Sequence, residues 1–325
     1  MRSGRSNAAE PAAPAPREGP PAPGPATYRG RFAPSPTGPL HLGSLVAAVG
    51  SFLDARHHGG QWLVRLEDLD RTREVPGAAH AILRTLEAFA LHWDGPVVYQ
   101  TQRSSAYAEA LDRLQGLGLT YPCACSRSQI AEMGRIGPEG PIYPGTCRPG
   151  LPEGGAARSL RLRVPAGAIA FEDRILGLRG QDVATEIGDF VLRRADGIHA
   201  YQLAVVVDDA WQGITQVVRG ADLAASTPRQ ILLQRALGLP TPAYAHLPLV
   251  IDARGRKLSK SDAAAPVDPA DPLPAALLAL RHLGQAVPPE PPADVAELWR
   301  WAIPSWDLRR VPCGPSPPQH KVTPR

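Results

Sequence analysis

The stretch Arg31-Phe32-Ala33-Pro34-Ser35-Pro36-Thr37-Gly38-Pro39-Leu40-His41-Leu42-Gly43-Ser44 holds the residue types that handle phosphate. A short apolar run, Arg31 to Ala33, reads as a strand. A Pro/Gly turn follows, and Leu42 to Leu53 reads as an apolar helix. A strand, a glycine-containing turn and a helix N-terminus make an anion site, because unpaired backbone N–H groups and the helix dipole face the charge. The His41 ring can donate to a phosphate oxygen. Gly43 has no Cβ, so a ribose or base can lie against the backbone there. Pro34, Pro36 and Pro39 hold the loop in shape before a ligand arrives. A second basic stretch, Lys257-Leu258-Ser259-Lys260-Ser261, follows a β-like run from Leu247 to Ile251 and the turn Asp252-Ala253-Arg254-Gly255. Two lysines three apart on such a loop can close over a triphosphate and neutralise charge building on a leaving pyrophosphate.

A third group of reactive residues lies between Tyr121 and Gly150. It comprises Cys123, Cys125 and Cys147 in a stretch rich in Gly and Pro. Three thiols in one irregular segment suggest a structural zinc site, which holds loops with too little core of their own. No histidine occurs between His92 and His199, and Cys313 lies far away in a Pro-rich end. The oxygen donors at hand for a fourth position are Tyr143, Glu132 and Glu139.

The elements that must position these groups follow from pattern. The strand and helix of the phosphate loop come first. Gln61 to Leu66 is a half-apolar strand whose end delivers Glu67 to the same rim. Helices are expected from Pro76 to about Phe89 and from Ser104 to about Leu117, each with one apolar stripe. Short alternating runs from Ser159 to Phe171 read as a small antiparallel insertion. Glu186 to Arg194 and His199 to Asp208 read as a return to the main sheet, with Leu203 to Val207 as a strand covered on both faces. Ile214 to Arg219 reads as a strand and Thr227 to Leu237 as a helix. Helical patches recur at Leu273–Leu283 and Val295–Ile303. The fold class is therefore α/β, two βα halves split by a long insertion.

Composition sets the outer bounds. The 325 residues suffice for one or two domains, and a hydrophobic content of 43% is that of a globular chain. No apolar run approaches membrane-helix length, so no membrane partner is expected. Thirty-five Lys and Arg against 31 Asp and Glu give a net charge of +4, with a pI near 9.0. That balance permits a polyanionic partner without demanding one. Four cysteines with one close pair do not make a secreted disulfide scaffold and favour a reducing compartment, the cytoplasm. Residues 1–28 are Pro, Ala, Gly and Arg with almost no large apolar side chain and are expected to be a disordered tail, or the product of a start codon placed too early.

Taken together, the two phosphate stretches resemble the paired signatures of class I aminoacyl-tRNA synthetases. His41-Leu42-Gly43-Ser44 is similar to the "HIGH" motif and Lys257 to Ser261 to "KMSKS", with Leu258 for Met. Arg65 to Arg73, Asp189 to Arg194, Tyr201 to Asp209 and Val218 to Asp222 resemble, in order, blocks of glutamyl-tRNA synthetases. The resemblance runs from about Arg29 to Asp262. It implies a Rossmann-like catalytic domain over residues 29–262, with a zinc-bearing insertion at about 121–185 and a short helical, Pro-rich appendage over 263–325.

The roles of individual residues come from that resemblance. His41, Lys257 and Lys260 would be catalytic, with His41, Gly43 and Lys260 on ATP and a magnesium ion accompanying the nucleotide. Arg31, Phe32, Ala33, Pro34, Ser35, Glu67, Tyr201 and Arg219 would hold L-glutamate. Arginines suit its side-chain carboxylate, and Glu67 and Ser35 suit its α-ammonium. Cys-x-Cys followed by Tyr-x3-Cys is similar to the zinc subdomain of a short glutamyl-type paralogue family, in which the tyrosine is a ligand. Cys123, Cys125, Tyr143 and Cys147 would then hold one zinc ion. Full-length glutamyl-tRNA synthetases carry a large anticodon-binding region where only about sixty residues remain here. Both features resemble the glutamyl-queuosine tRNA(Asp) synthetase family, which activates glutamate without tRNA and transfers it to queuosine in the anticodon loop of tRNA(Asp). A monomer is expected. A glutamyl-tRNA synthetase with an eroded C-terminus, a non-catalytic tRNA-binding paralogue and a small-molecule nucleotidyltransferase are the competing expectations.

Overall fold

The structure is a computed structural model describing residues 27–252 and 265–314. The expected tail, apart from residues 27 and 28, and the lysine stretch Lys257 to Ser261 lie outside the described residues. The chain runs β1 (Arg29–Phe32), α1 (Leu42–His57), β2 (Gln61–Leu66), α2 (Ala78–Ala88), β3 (Val98–Tyr99) and α3 (Ser104–Gly116). The insertion follows with β4 (Thr120–Cys123), α4 (Arg127–Met133), β5 (Ile136–Gly137), β6 (Gly140–Pro141) and β7 (Ser159–Leu162). Then come β8 (Ile169–Asp173), β9 (Gly177–Gln181), α5 (Val183–Glu186) and β10 (Val191–Arg193). The second half is α6 (Tyr201–Trp211), β11 (Gln216–Gly220), α7 (Thr227–Leu237) and β12 (Ala243–Leu247), followed by α8 (Pro272–His282) and α9 (Val295–Ser305).

β1, β2 and β3 form one parallel ladder, and β11 and β12 another, in which Arg219 pairs with His246. The ladders meet where the Thr215 N–H donates to the Arg29 carbonyl at 3.0 Å, beside the first residues of β1 and β11. The strand order is thus β3-β2-β1-β11-β12, with β8 and its hairpin partner β9 beyond β12. Chain order reverses between β1 and β11. In such sheets ligands sit outside the carboxyl ends of the strands at that reversal. One hydrophobic cluster, containing Trp62, Phe52 and Trp299, packs α1, α2, α8 and α9 on one face. A second, containing Leu114, Val205 and Leu233, packs α3, α6 and α7 on the other.

Four readings of the sequence need correction. Ser159 to Phe171 is not one small antiparallel insertion: β7 lies in the sheet β10-β7-β4, while β8 pairs parallel with β12 at the edge of the main sheet. The apolar run Leu203 to Val207 is helical, the middle of α6, and not a strand. Leu203, Ala204, Val205 and Val206 are all buried, because α6 lies sandwiched among packing partners. A helix buried nearly all round carries no polar stripe, so its run of five apolar residues looks like a buried strand. Within Glu186 to Arg194 only β10 is extended, and it joins the antiparallel order β10-β7-β4 of the insertion instead of the main sheet. The strand before the lysine stretch ends at Leu247, four residues earlier than its apolar run.

At the strands' amino ends, Asp54 of α1 is fully buried. It accepts from the Tyr28 hydroxyl, from Arg174 Nη1 at 2.7 Å and from Trp306 Nε1 at 3.0 Å. Residues from before β1, after β8 and after α9 thus converge on one carboxylate.

Candidate active site

A cavity of about 480 Å³ opens at the carboxyl ends of β1, β2, β11 and β12. Its size suits a small substrate with part of a nucleotide. Every site residue expected for glutamate lines it: Arg31, Phe32, Ala33, Pro34, Ser35, Glu67, Tyr201 and Arg219. His41 and Gly43 line it too. The loop after β1 is tied to the rim of β2 by the Glu67 N–H donating to the Pro34 carbonyl at 3.0 Å. Tyr201 is the first residue of α6, so the helix assignment brings its ring to the cavity by a different route from the expected strand.

The helix N-terminus differs from the expected arrangement of free backbone donors. His41 is the N-cap of α1, and its Nδ1 accepts from the Gly43 and Ser44 N–H groups at 3.1 and 3.4 Å. The His41 N–H in turn donates to Ser44 Oγ at 2.8 Å. The side chain has thus taken the donors that a phosphate was expected to use. An Nδ1 that accepts leaves the proton of a neutral ring on Nε2, so the imidazole is a donor of defined tautomer.

The lysine stretch lies outside the described residues, but its flanks do not. Val250 lines the cavity. On the far side Pro266 bridges to His41, and the Val267 N–H donates to the Leu40 carbonyl at 2.9 Å. The chain enters that segment from the cavity wall and leaves it beside His41.

Charges in the wall are arranged around Asp209 of α6. Arg31 is 3% exposed and donates through Nε to Asp209 Oδ1 at 3.2 Å. Arg65 Nη1 reaches the same oxygen at 2.7 Å, while its Nη2 donates to Glu67 Oε1 at 3.3 Å. Asp208 next door accepts from Arg103, Tyr107 and Gln100. Burial raises the Asp209 carboxyl, but Arg31 and Arg65 outweigh it and hold the group below the usual carboxylate range. Glu67 goes the other way: burial dominates over Arg65 and Arg31, and its carboxyl is pushed up. The Tyr201 phenol is raised, first by burial and then by the Glu67 charge. Arg65, Asp208 and Asp209 stood in the blocks quoted from the sequence without assigned roles. An Asp-Asp pair ending a helical turn below Tyr201 was the available signal, hidden by the strand assignment.

The cysteine cluster lies in the insertion, with its own small core of Tyr121, Cys123, Tyr143 and Cys147. The Sγ atoms of Cys123, Cys125 and Cys147 all lie within 4.8 Å of one another. The Tyr143 hydroxyl is 3.4 Å from Cys123 Sγ and 3.8 Å from Cys125 Sγ. Arg161 stacks over the Tyr143 ring at 3.8 Å. Burial raises the Cys123 thiol, but hydrogen bonds from Tyr143 and Arg161 outweigh it and bring it to about 7. Burial and the Cys147 sulfur push Cys125 up. Glu139 is engaged elsewhere, in an ion pair with Arg229.

The catalytic-domain family of class I tRNA synthetases for Glu and Gln matches residues 27–284. A protein called glutamyl-Q tRNA(Asp) synthetase from Dechloromonas aromatica is 59% identical over 288 residues, covering 88% of this chain and 96% of that one. One of the same name from Chromobacterium violaceum is 56% identical, covering 89% and 97%. Among solved structures, a glutamate tRNA ligase from Elizabethkingia meningosepticum in complex with its amino acid superposes with a TM-score of 0.75 at 25% identity. It covers 90% of this chain and 67% of its own. With this match over most of its length, and with a cavity at the reversal point of a doubly wound sheet, the chain belongs to the class I aminoacyl-tRNA synthetases of the glutamyl and glutaminyl type.

Proposed function

We propose that the chain activates L-glutamate with ATP, without tRNA, and transfers the glutamyl group to queuosine in the anticodon loop of tRNA(Asp). The observation that carries this reading is the single cavity in which two buried arginines share a wall with Glu67 and His41. A glutamate carboxylate attacks the α-phosphorus of ATP, and pyrophosphate departs. Such a step depends on positioning and on stabilising charge. Arg31 and Arg219 bind the side-chain carboxylate, while Glu67 takes the α-ammonium. That ammonium opposes the rise that burial gives the Glu67 carboxyl. The His41 Nε2–H donates to the nucleotide phosphates. Lys260, helped by Lys257, neutralises the leaving pyrophosphate, and magnesium accompanies the ATP. These substrates place the reaction in the cytoplasm, carried out by a monomer whose catalytic unit spans residues 29–262 and whose C-terminal appendage spans 263–325.

The insertion would hold one zinc ion through Cys123, Cys125, Cys147 and Tyr143. Three converging sulfurs with a phenol against two of them suit a tetrahedral site, and the Arg161 cation offsets part of the anionic charge such a donor set carries. The ion's contribution would be structural, tying the end of β4 and the loop after it to the loop bearing Tyr143 and Cys147.

The acceptor decides among the readings. Radiolabelled glutamate and ATP should support ATP–pyrophosphate exchange with no RNA present. The label should then pass to queuosine-bearing tRNA(Asp) and not to the 3′ end of tRNA(Glu). Charging of tRNA(Glu) would make the chain a glutamyl-tRNA synthetase, and absence of exchange would make it a binding paralogue.

A further inference from the structure

His246 of β12 does not line the cavity and is fully buried behind it, 0% exposed. Its Nδ1 faces Asp173 Oδ2 within hydrogen-bonding distance, and its Nε2 faces Arg219 Nε at 3.1 Å. A guanidinium only donates, so Nε2 must accept, and the proton of the ring lies on Nδ1, shared with the carboxylate. The imidazole is therefore neutral and of one tautomer. Asp173 is itself fixed, since its Oδ1 accepts from the Ile175 and Leu176 N–H groups at 3.0 and 2.8 Å.

The remaining partners of Arg219 are also neutral. Nη1 donates to Gln230 Oε1 at 2.9 Å, and Nη2 donates to Thr227 Oγ1 at 2.9 Å and to the Leu223 carbonyl at 3.2 Å. Among the described residues no carboxylate forms an ion pair with this guanidinium. Arg31, by contrast, is already paired with Asp209. Arg219 is a buried cation whose plane is held by dipoles and whose charge is left for a ligand. A carboxylate inserted beside it gains an ion pair with the guanidinium, whereas a carboxamide can only accept through a neutral oxygen.

We infer that His246, oriented by Asp173, is a positioning residue that holds Arg219 as a cation without an acidic partner and so sets the preference for a side-chain carboxylate over a carboxamide. The inference rests on the glutamate reading above. Burial keeps the His246 imidazole below its ordinary range, with Arg219 acting in the same direction against the pull of Asp173. Neutrality thus persists where an exposed histidine would begin to charge.

The test measures ATP–pyrophosphate exchange by the full chain, with L-glutamate and L-glutamine, for the wild type, His246→Leu and His246→Gln. Leu removes the acceptor and leaves a buried N–H of Arg219 unsatisfied. KM for glutamate should rise about 10-fold or more, while KM for ATP stays within about twofold and the Glu/Gln ratio falls. Gln can accept from Arg219 and donate to Asp173, and should recover most of the loss. Unchanged glutamate KM in His246→Leu, an equal rise in both KM values, or failure of Gln to recover more than Leu would overturn the inference. Should His246→Leu not fold, Asp173→Asn serves: it releases the tautomer, and a glutamate KM equal to that of the wild type would overturn the inference as well. Wild-type protein that shows no exchange with glutamate would instead reject the functional reading and, with it, the inference, an outcome distinct from a variant that keeps the wild-type KM.

Discussion

Asp209→Asn is the substitution whose consequences the structure makes most definite. The carboxylate is buried and serves two guanidinium groups at once, Arg31 at 3.2 Å and Arg65 at 2.7 Å. The carboxamide keeps the volume and one acceptor but removes the charge, and its NH2 group faces donors. Breaking a buried pair by neutralising one partner costs about 3–5 kcal/mol, because the other charge is left in place. For a chain of 325 residues the unfolding entropy near Tm is of order 0.7 kcal/mol/K, so Tm should fall by about 4–7 °C. The sign with pH follows from the depressed carboxyl of Asp209. Its stabilisation is complete above the unfolded carboxylate pKa and is lost as pH falls through the lower folded value. The gap between wild type and variant should therefore be full at pH 7 and close only in strong acid. Arg31 loses its fixed orientation as well, so glutamate KM should rise with little change for ATP. Differential scanning calorimetry at pH 7 and exchange kinetics measure both. A variant that melts within about 1 °C of the wild type, with unaltered glutamate KM, would refute the assignment of Asp209 as the shared counter-charge of the wall.

Lys260→Ala should lower ATP–pyrophosphate exchange by about 10²-fold or more without a comparable loss of stability, as measured by exchange assay alongside thermal melts; near-normal turnover would remove Lys260 from the mechanism. Cys147→Ser should reduce bound zinc, measured by elemental analysis, and lower the Tm of the insertion more than the rate of exchange, whereas full retention of zinc would exclude that thiol as a necessary ligand. His199, His246 and His282 are each held below the ordinary imidazole range by burial. The unfolded chain takes up their protons first, so stability should be full above about pH 6.5 and decline as pH falls below it. His246→Gln should make that decline shallower in a Tm series from pH 8 to 5, and an unchanged slope would assign the decline to other groups.

The first βα unit was legible because its signals are local. Pro and Gly bound the loop, and Leu42–His57 is a helix where the apolar run begins. The two Leu- and Trp-bearing patches after residue 270 were equally plain, since proline or aspartate marks their starts and apolar stripes follow. The cavity wall from Arg31 to Ser35, with Glu67, Tyr201 and Arg219, was recognisable by resemblance and comes together around one space. What could not be read was the wiring behind it. Asp173 and His246 are 73 residues apart, and their contact with each other and with Arg219 exists only once β8, β12 and β11 lie side by side. The occupation of the α1 N-terminus by His41 was hidden for another reason: the spacing of His41, Gly43 and Ser44 fits an open anion site and a self-capped helix equally well. Only the χ angles of one ring decide between them.

The convergence on Asp54 bears on how substrate enters. A single acid fastens the segment before β1, the turn after β8 and the residues after α9 to the underside of the molecule, and Arg174 also donates to Gln216 at the start of β11. With both halves of the chain stapled at that pole, parting them like jaws around the crevice would strand a buried charge without its donors, at a cost of about 3–5 kcal/mol.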